Sequence, residues 1–223
     1  MFHVFKTFPN KVHALCDVNI HIKKGEFVFL VGPTGAGKTT FLKLIYRGIL
    51  PTKGQVIIDG VNLARLKTSL VPYLRREIGV VFQDFKLLFD RNVFENVAFS
   101  LRVVGAKNSV IKREVNNILD IIGLTHKKNT NPHFLSGGEQ QKLCIARAVV
   151  IHPLILITDE PTGNLDPETS WDILQLLLKI NIWGTTVIVA SHDKLMVDQA
   201  QKRVIRIEQG KVTSDTQKGI YPK

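Results

Sequence analysis

The stretch that decides the fold lies at residues 32–39 and reads Gly32-Pro33-Thr34-Gly35-Ala36-Gly37-Lys38-Thr39. It fits the phosphate-binding loop pattern, a glycine-rich turn that ends in Gly-Lys-Ser or Gly-Lys-Thr. An apolar strand is predicted directly before it, at Phe27–Val31, and a helix is predicted to begin near Lys38. Glycines let backbone N–H groups turn toward an anion, and a helix N-terminus favours negative charge at the same place. The stretch therefore predicts a site for the phosphates of a nucleotide.

The last residues of this loop carry the predicted chemistry. Lys38 is expected to neutralise β- and γ-phosphate oxygens, and the Thr39 hydroxyl is expected to coordinate Mg²⁺. Thr40, the next residue, joins the predicted nucleotide-binding set. Glycine-rich turns occur without any ligand, but the fixed pattern together with its strand and helix makes that alternative weak.

A second predicted element of chemistry is a pair of adjacent acids at the end of an apolar run. Residues 154–158 are predicted to form a buried strand that delivers Asp159 and Glu160 at its carboxyl end. A nucleoside triphosphatase needs a carboxylate for its metal and a group that orients the attacking water. We therefore predict Asp159 as a Mg²⁺ ligand and Glu160 as general base. Two consecutive acids alone would usually be a solvated turn, so this prediction depends on the phosphate loop.

Further out from the loop, short apolar runs alternate with helical patterns, which predicts an α/β fold with a mostly parallel sheet. The predicted strands are 27–31, 56–58, 78–82, 154–158, 186–190 and 204–207. Between about residues 83 and 151 helical signals dominate, as in the apolar stripe Ile111, Val115, Ile118, Leu119 and Ile122. We predict a single domain over 1–223, with a core at 1–82 and 152–223 and a helical subdomain at 83–151.

Composition narrows the class of protein. The chain has 223 residues, 30 Lys and Arg against 19 Asp and Glu, and two cysteines, which excludes disulfide-rich and disordered chains. The excess positive charge lies mainly in residues 61–150, with 14 basic and 7 acidic side chains. A basic balance suggests nucleic acid or a membrane surface, or simply a solvated face. Because the basic residues are scattered among acids, nucleic acid is disfavoured. No apolar run approaches the roughly 18 residues of a membrane-spanning helix.

Residues 135–141 read Leu-Ser-Gly-Gly-Glu-Gln-Gln, which locally predicts a helix start with Ser136 as cap and Glu139 completing a capping box. The same residues resemble the signature sequence of ATP-binding cassette (ABC) ATPases. Other motifs follow in that family's order. Gln83 resembles the Q-loop glutamine, residues 164–166 resemble the D-loop, and His192 resembles the switch histidine.

This resemblance implies a phosphate-loop NTPase fold with a RecA-like core, an antiparallel β part and an inserted helical subdomain. It implies Mg²⁺-dependent ATP hydrolysis by a homodimer that closes on two ATP molecules. Each ATP would be covered by the signature of the other subunit. The implied signature contacts are Leu135, Ser136, Gly137, Gly138 and Glu139. His192 would hold the γ-phosphate, Gln83 would bind Mg²⁺ and contact ATP, and Asp166 would communicate between the two sites.

Adenine recognition is implied near the N-terminus, where Phe8 falls at the family's stacking position and Phe2 and Phe5 are rivals. The N-terminus looks shorter than the family's usual first strand. We therefore expect part of the antiparallel sheet on the adenine side to be missing or incomplete.

Within the family, residues 78–88 and 95–98 resemble FtsE-type cell-division ATPases, although Phe89 stands where those proteins commonly have proline. That resemblance implies an integral membrane partner, FtsX-like, that regulates cell-wall hydrolysis and docks near residues 83–91. The apolar residues there are Phe85, Leu87, Leu88 and Phe89, for which ordinary core packing is the alternative. It also implies a peripheral location on the cytoplasmic face of the inner membrane, where the basic face could contact anionic lipid.

Two other functions remain open. Residues 159–166 resemble the lipoprotein-releasing, lipid and macrolide-type ABC transporter ATPases equally well. A soluble ABC ATPase that acts on nucleic acid belongs to a different class and would require an arm or coiled-coil insertion that 223 residues do not provide.

Overall fold

The computed structural model describes residues 1–163, 165–219 and 221. Its strands are β1 (Phe2–Thr7), β2 (His13–Val18), β3 (Phe27–Val31), β4 (Lys53–Gln55), β5 (Ile57–Ile58), β6 (Val61–Asn62), β7 (Ile78–Val81), β8 (Ile155–Asp159), β9 (Thr186–Ala190), β10 (Arg203–Glu208) and β11 (Lys211–Thr216). Its α-helices are α1 (Lys38–Ile45), α2 (Val71–Arg76), α3 (Val93–Val103), α4 (Asn108–Ile121), α5 (Gly137–Val149), α6 (Pro167–Ile182) and α7 (Lys194–Ala200).

The central sheet has the strand order β11-β10-β3-β9-β8-β7. All neighbouring strands from β10 to β7 are parallel, and only the edge strand β11 is antiparallel. Every residue of β3 and β9 is buried, as expected for strands covered on both faces. In such a sheet the carboxyl ends of the parallel strands share one edge, so the loops after β3, β8 and β9 are brought together there.

A separate antiparallel sheet has the order β2-β1-β4. Val4, Leu15 and Val18 point into the core from its first two strands. The expectation that part of this sheet is missing was wrong for its first strand, because Phe2–Thr7 forms the central strand. Polar residues such as Lys6 and Thr7 hide the strand in the sequence, since one face of an antiparallel sheet can face water.

The predicted strand at 56–58 is one residue shorter than expected and begins at Ile57. Ile57–Ile58 pairs with Val61–Asn62 in a two-stranded hairpin outside the central sheet. The loop between them is Asp59-Gly60, with φ of 47° and 77°. Asp-Gly is a preferred pair for a tight hairpin turn that needs positive φ at both positions, so the local turn decides the pairing.

Helices α3, α4 and α5 lie in the chain between β7 and β8. The predicted stripe of α4 is buried at Ile111, Val115, Ile118 and Leu119. One continuous hydrophobic cluster joins these helices to the face of the central sheet that carries Phe29. A second cluster covers the opposite face and includes α1. The boundaries of a helical subdomain at 83–151 stay a prediction.

Candidate functional site

The phosphate loop connects β3 to α1, which begins at Lys38 as the sequence predicts. Two of its glycines cannot carry a side chain. A Cβ on Gly32 would lie 2.0 Å from the carbonyl oxygen of Ile207, and one on Gly37 would lie 2.4 Å from that of Ala14. Both also have positive φ, 147° and 111°. The glycines therefore fix the loop against its neighbours while Pro33 to Gly35, at its outer turn, stay exposed.

Lys38 is the buried cation of the loop. Only 8% of it is exposed, and its Nζ donates to the carbonyl oxygens of Gly32 at 2.7 Å and Pro33 at 3.2 Å. An ammonium group has three donors, so one remains for a phosphate oxygen. The loop carbonyls thus hold the charge in place at the point where the motif predicts nucleotide phosphates.

Thr39 and Asp159, the two predicted metal ligands, meet directly. The Thr39 hydroxyl donates to Asp159 Oδ2 at 2.9 Å across 120 positions of sequence. Burial raises the pKa of Asp159, the nearby charge of Glu160 raises it further, and the bond from Thr39 opposes both. Among the described residues there is no group of three or more His, Cys, Asp or Glu side chains that could hold a metal ion by itself. One hydroxyl and one carboxylate fit Mg²⁺, which takes few protein ligands and completes its shell with phosphate oxygens and water.

Glu160 and His192 form a second pair beside the first. His192 Nδ1 lies 2.7 Å from Glu160 Oε2, and the His192 backbone N–H donates to the same oxygen at 3.2 Å. The Glu160 N–H donates to the carbonyl of Ala190 at 2.9 Å, which ties the end of β8 to the end of β9. Glu160 has a φ of 53°, a conformation that is uncommon outside glycine and concentrates at functional sites. The structure thus joins two residues whose roles the sequence assigned separately.

The signature lies at the N-terminus of α5, where Ser136 forms the predicted capping box with Glu139. The Ser136 N–H donates to Glu139 Oε2 at 2.9 Å, and the Glu139 N–H donates to Ser136 Oγ at 3.3 Å. Lys127 Nζ also contacts Glu139 Oε1 at 2.6 Å. Burial raises the pKa of Glu139, but the bonds from Lys127 and Ser136 outweigh it and leave the pKa below its usual range.

The two ends of the signature differ in exposure. Leu135 and Gly138 are buried, and a Cβ on Gly138 would lie 2.3 Å from Thr169 Cγ2 of α6. Ser136 and Gly137 are exposed. Leu135 and Gly138 therefore pack against the rest of the chain, while the polar helix start at Ser136 and Gly137 faces outward.

Two other predicted residues, Gln83 and Asp166, lie at separate places. Gln83 is exposed, two residues beyond the end of β7. Asp166 caps α6 by accepting from the Thr169 N–H at 2.9 Å, and the bonds from Thr169 lower its pKa. Within the described ranges, hydrogen bonds connect neither Gln83 nor Ser136 to the phosphate loop. Asn164, part of the predicted D-loop, lies outside the described residues.

The predicted adenine platform, Phe8, is half-buried at the turn between β1 and β2, with Lys6 Nζ 5.4 Å from its ring centroid. Its rivals sit on β1, where Phe2 is exposed and Phe5 is half-buried. All three aromatic residues remain candidates.

The apolar residues after Gln83 have mixed environments. Leu87 is core, with 6% exposure, whereas Phe89 is 42% exposed and stacks on His133 at a centroid distance of 4.2 Å. A groove of about 500 Å³ opens beside this segment. Its lining includes Tyr46, Val80, Phe82, Leu88, Phe99 and Ile151.

Sequence reasoning missed two polar residues that hold this segment. Arg147 donates to the carbonyls of Phe85 and Lys86, and Asn96 bonds to both the N–H and the carbonyl of Leu88. Asn96 is fully buried within the apolar face of α3. A polar amide on an apolar stripe was the signal that could have revealed it, because buried amides are hydrogen-bonded. Nothing in the sequence around Arg147 marks its partners.

The strand-end loops, with a buried lysine and paired Thr39–Asp159 and Glu160–His192 side chains, define a nucleoside triphosphatase of the phosphate-loop class. The chain belongs to the ABC transporter family, whose family model matches residues 15–163, and it is an ATPase. It is 52% identical to the cell division ATP-binding protein FtsE of Bacillus subtilis over 221 residues, covering 99% of this chain and 97% of that protein. Identity to FtsE of Escherichia coli K12 is 45% over 208 residues, covering 93% and 94%.

Solved structures agree with this assignment. A dimeric ATP-binding cassette, MJ0796, in a post-hydrolysis state with ADP and Pi superposes with a TM-score of 0.88 at 34% identity. The match covers 99% of this chain and 98% of that one. The predicted α/β fold of an ABC ATPase is therefore confirmed. None of the helices in the described ranges is long and apolar enough to span a membrane.

Proposed function

We propose that this chain is the ATP-hydrolysing subunit of an FtsE-type cell-division complex, acting as a homodimer on a separate FtsX-like integral membrane partner. The observation that carries the enzymatic part is the meeting of Thr39 with Asp159 and of Glu160 with His192 beside the phosphate loop. The cell-division part rests on similarity to FtsE along the whole chain.

The chemistry follows from the site. The free N–H of Lys38 and the backbone of Gly32–Thr39 bind the phosphates, with Thr40 next to them on α1. Thr39 and Asp159 would hold Mg²⁺, with Gln83 as a further ligand, and the ion would offset phosphate charge when bound. Glu160 accepts the proton of the attacking water, and His192, held by Glu160, contacts the γ-phosphate. Phe8 stacks on the adenine.

The dimer follows from the exposed helix start at Ser136 and Gly137. A helix N-terminus with free polar groups suits an anion, and in the proposed dimer that anion is the γ-phosphate bound to the second copy. Leu135, Gly138 and Glu139 hold this helix start in place, and Asp166 lies at the start of the neighbouring α6. The dimeric form of a related cassette with ADP and Pi supports this arrangement.

The membrane partner is proposed to dock in the groove beside residues 83–91, which places it next to Gln83. The groove is lined mainly by apolar and aromatic side chains, which suits an apolar helix face of the partner. Phe99 of α3 lines this groove and is 38% exposed, so it is the most direct contact we propose. A complex built this way would be peripheral, on the cytoplasmic face of the inner membrane.

Anionic lipid is a proposed secondary contact of the helical region. Six basic side chains of residues 61–150 pair with carboxylates, which reduces the effective charge. The proposed contacts with anionic lipid are three exposed lysines, Lys107, Lys112 and Lys128. Salt-dependent binding to vesicles with anionic headgroups, weakened by Lys107→Gln with Lys112→Gln, is expected. Salt-independent binding would identify the charge as a solvated surface.

The decisive test is co-expression of the chain with an FtsX-like membrane protein, followed by detergent extraction and co-purification. We expect the pair to co-purify and Phe99→Asp to separate it, because the partner would bury the added charge in the groove. Ile182→Asp, at an 83% exposed position of α6, is the matched control and should leave the pair intact. Copurification with a lipoprotein, lipid or macrolide permease instead would favour the transporter alternative. Salt-sensitive nucleic-acid binding without a membrane partner would favour the third alternative, a soluble ABC ATPase that acts on nucleic acid.

A further inference from the structure

The segment directly after Gln83 contains two consecutive strained residues. Phe85 has a φ of 57° and Lys86 a φ of 50°, in the left-handed region that favours glycine. Neither residue is glycine, and such conformations persist only when the surroundings hold them. The Phe85 N–H donates to the carbonyl of Phe82 at 3.2 Å and the Lys86 N–H to that of Asp84 at 2.6 Å. Groups outside the segment add to these local bonds.

Arg147 in the last turn of α5 supplies that hold. Its Nη1 donates to the carbonyl of Lys86 at 2.6 Å, and its Nη2 donates to the carbonyl of Phe85 at 2.9 Å. Cys144, one turn earlier on the same helix, donates its thiol to the Phe85 carbonyl at 3.1 Å. A planar guanidinium can bind two acceptors at fixed separation, which a lysine cannot do. Three donors of α5 thus converge on the two strained residues.

The far end of the segment is fixed as well. Buried Asn96 of α3 accepts from the Leu88 N–H and donates to the Leu88 carbonyl, both at 2.9 Å. Helices α3 and α5 are joined in turn, since Ser100 Oγ donates to the carbonyl of Arg147 at 2.9 Å. Residues 85–88 are therefore attached to the helical region, while Gln83 at the other side is exposed next to β7.

We infer that Arg147 is a positioning residue that ties the placement of Gln83 to the orientation of the signature helix. Helix α5 carries Ser136 at its N-terminus and Arg147 in its last turn, so a rotation of this helix moves both groups together. The loop cannot relax independently because its strained carbonyls are bound to Arg147. This inference rests on the proposed role of Gln83 as a Mg²⁺ ligand. It adds that a change in the orientation of α5 when the dimer closes over ATP would change the position of Gln83.

The test is the Mg²⁺ dependence of ATP hydrolysis by the full chain. Arg147→Met keeps the apolar stem and removes the donors. We expect it to raise the Mg²⁺ concentration for half-maximal activity about tenfold or more, since small misplacements of reacting groups have large effects. Arg147→Lys should fall in between. The matched control is Arg113→Met on α4, because the Arg113 side chain is 68% exposed. This variant should behave as wild type.

A double-mutant cycle with Gln83→Ala separates positioning from plain structural support. If Arg147 acts through Gln83, adding Arg147→Met to Gln83→Ala changes the Mg²⁺ dependence no further. Lys86→Gly should partly rescue Arg147→Met, because glycine adopts a φ of 50° without strain.

Several outcomes would overturn the inference: additive effects in the cycle, a shift in melting temperature with unchanged Mg²⁺ dependence, or no effect of Gln83→Ala where Arg147→Met has one. If Arg147→Met folds poorly, the Mg²⁺ dependence of Arg147→Lys, with and without Lys86→Gly, tests the inference instead. Failure of the proposed function is distinct, because it would appear as no co-purification with an FtsX-like protein, whereas this inference is tested on ATP hydrolysis by the chain alone.

Discussion

The phosphate loop and the helix start at the signature are two proposed anion sites. They differ in how far their functional groups are bonded and buried within the chain. At the loop, Lys38, Thr39, Asp159 and Glu160 are bonded to other groups of the same chain and are partly or largely buried, except for exposed Thr39. At the signature, the bonds of Glu139 to Lys127 and Ser136 lie behind an exposed helix start. In the proposed dimer, the loop is the half of an ATP site that is complete within one chain, and the signature is the half that meets a nucleotide bound to a second copy.

The largest effect is expected at the complete half. Glu160→Gln removes the group that accepts the water proton, and loss of general base catalysis slows turnover by about 10² to 10⁴-fold. ATP binding should persist because Lys38, Thr39 and Asp159 are unchanged, so a closed dimer should accumulate in size-exclusion chromatography with ATP. Exposed Glu168→Gln serves as the control. Turnover near the wild-type rate would remove Glu160 from its assigned role.

Next in size is Lys38→Ala, which removes the buried cation of the loop. Charge-assisted hydrogen bonds contribute enough that we expect ATP affinity to fall by about tenfold to hundredfold. Lys43→Ala, on the exposed face of the same helix, should bind ATP normally. Fluorescent nucleotide titration measures both, and unchanged affinity in Lys38→Ala would contradict the assignment of the loop.

Gly137→Asp addresses the incomplete half. Of the residues that the structure describes, a Cβ at Gly137 meets only Leu165, with its Cδ2 at 3.5 Å. An acid in the first turn favours the helix, so the single chain should stay folded and bind ATP. The added charge should repel the γ-phosphate held by the partner and suppress ATP-driven dimerisation. Light scattering with and without ATP checks this expectation, and normal dimerisation would place the interface elsewhere.

Mixing Lys38→Ala with Gly137→Asp sharpens the comparison. In a two-fold dimer each mixed pair keeps one intact site, made of the loop of one chain and the signature of the other. A one-to-one mixture of otherwise inactive chains should then recover about a quarter of the wild-type hydrolysis. If both halves of each site came from the same chain, mixing would recover none.

The smallest effect is expected for Lys127→Met, which removes one support behind the signature. The pair with Glu139 is only partly exposed, and we expect a loss of about 0.5–1 kcal/mol in the free energy of unfolding. Urea denaturation measures it, with ATP affinity of the loop unchanged. A loss of loop affinity instead would mean that the two regions are coupled within one chain.

The sequence predicted most of what is set by local pattern. Lys38, Asp159 and the capping box of Ser136 occupy the predicted strand ends and helix starts, because each depends on neighbouring residues in the chain. The central sheet was predictable for the same reason, through its apolar runs.

What was missed depends on contacts between distant residues. The bond between Glu160 and His192 and the hold of Arg147 on Phe85 are set by which strand ends and helices meet, which periodicity does not reveal. The first strand escaped because its exposed side chains break the apolar pattern. The pairing of Ile57–Ile58 with Val61–Asn62 was not predicted, because the apolar run at 56–58 does not reveal its partner strand.

The cap at Ser136 has a consequence for repeated cycles of ATP turnover. Its oxygen accepts the Glu139 N–H, and a hydroxyl has a second lone pair and its own hydrogen to offer. In the proposed dimer, the Ser136 hydroxyl would therefore donate its hydrogen to the γ-phosphate bound to the partner. Its oxygen would still accept from the Glu139 N–H. Engagement and release need no local melting of α5, so the signature can act many times as a rigid and reusable contact.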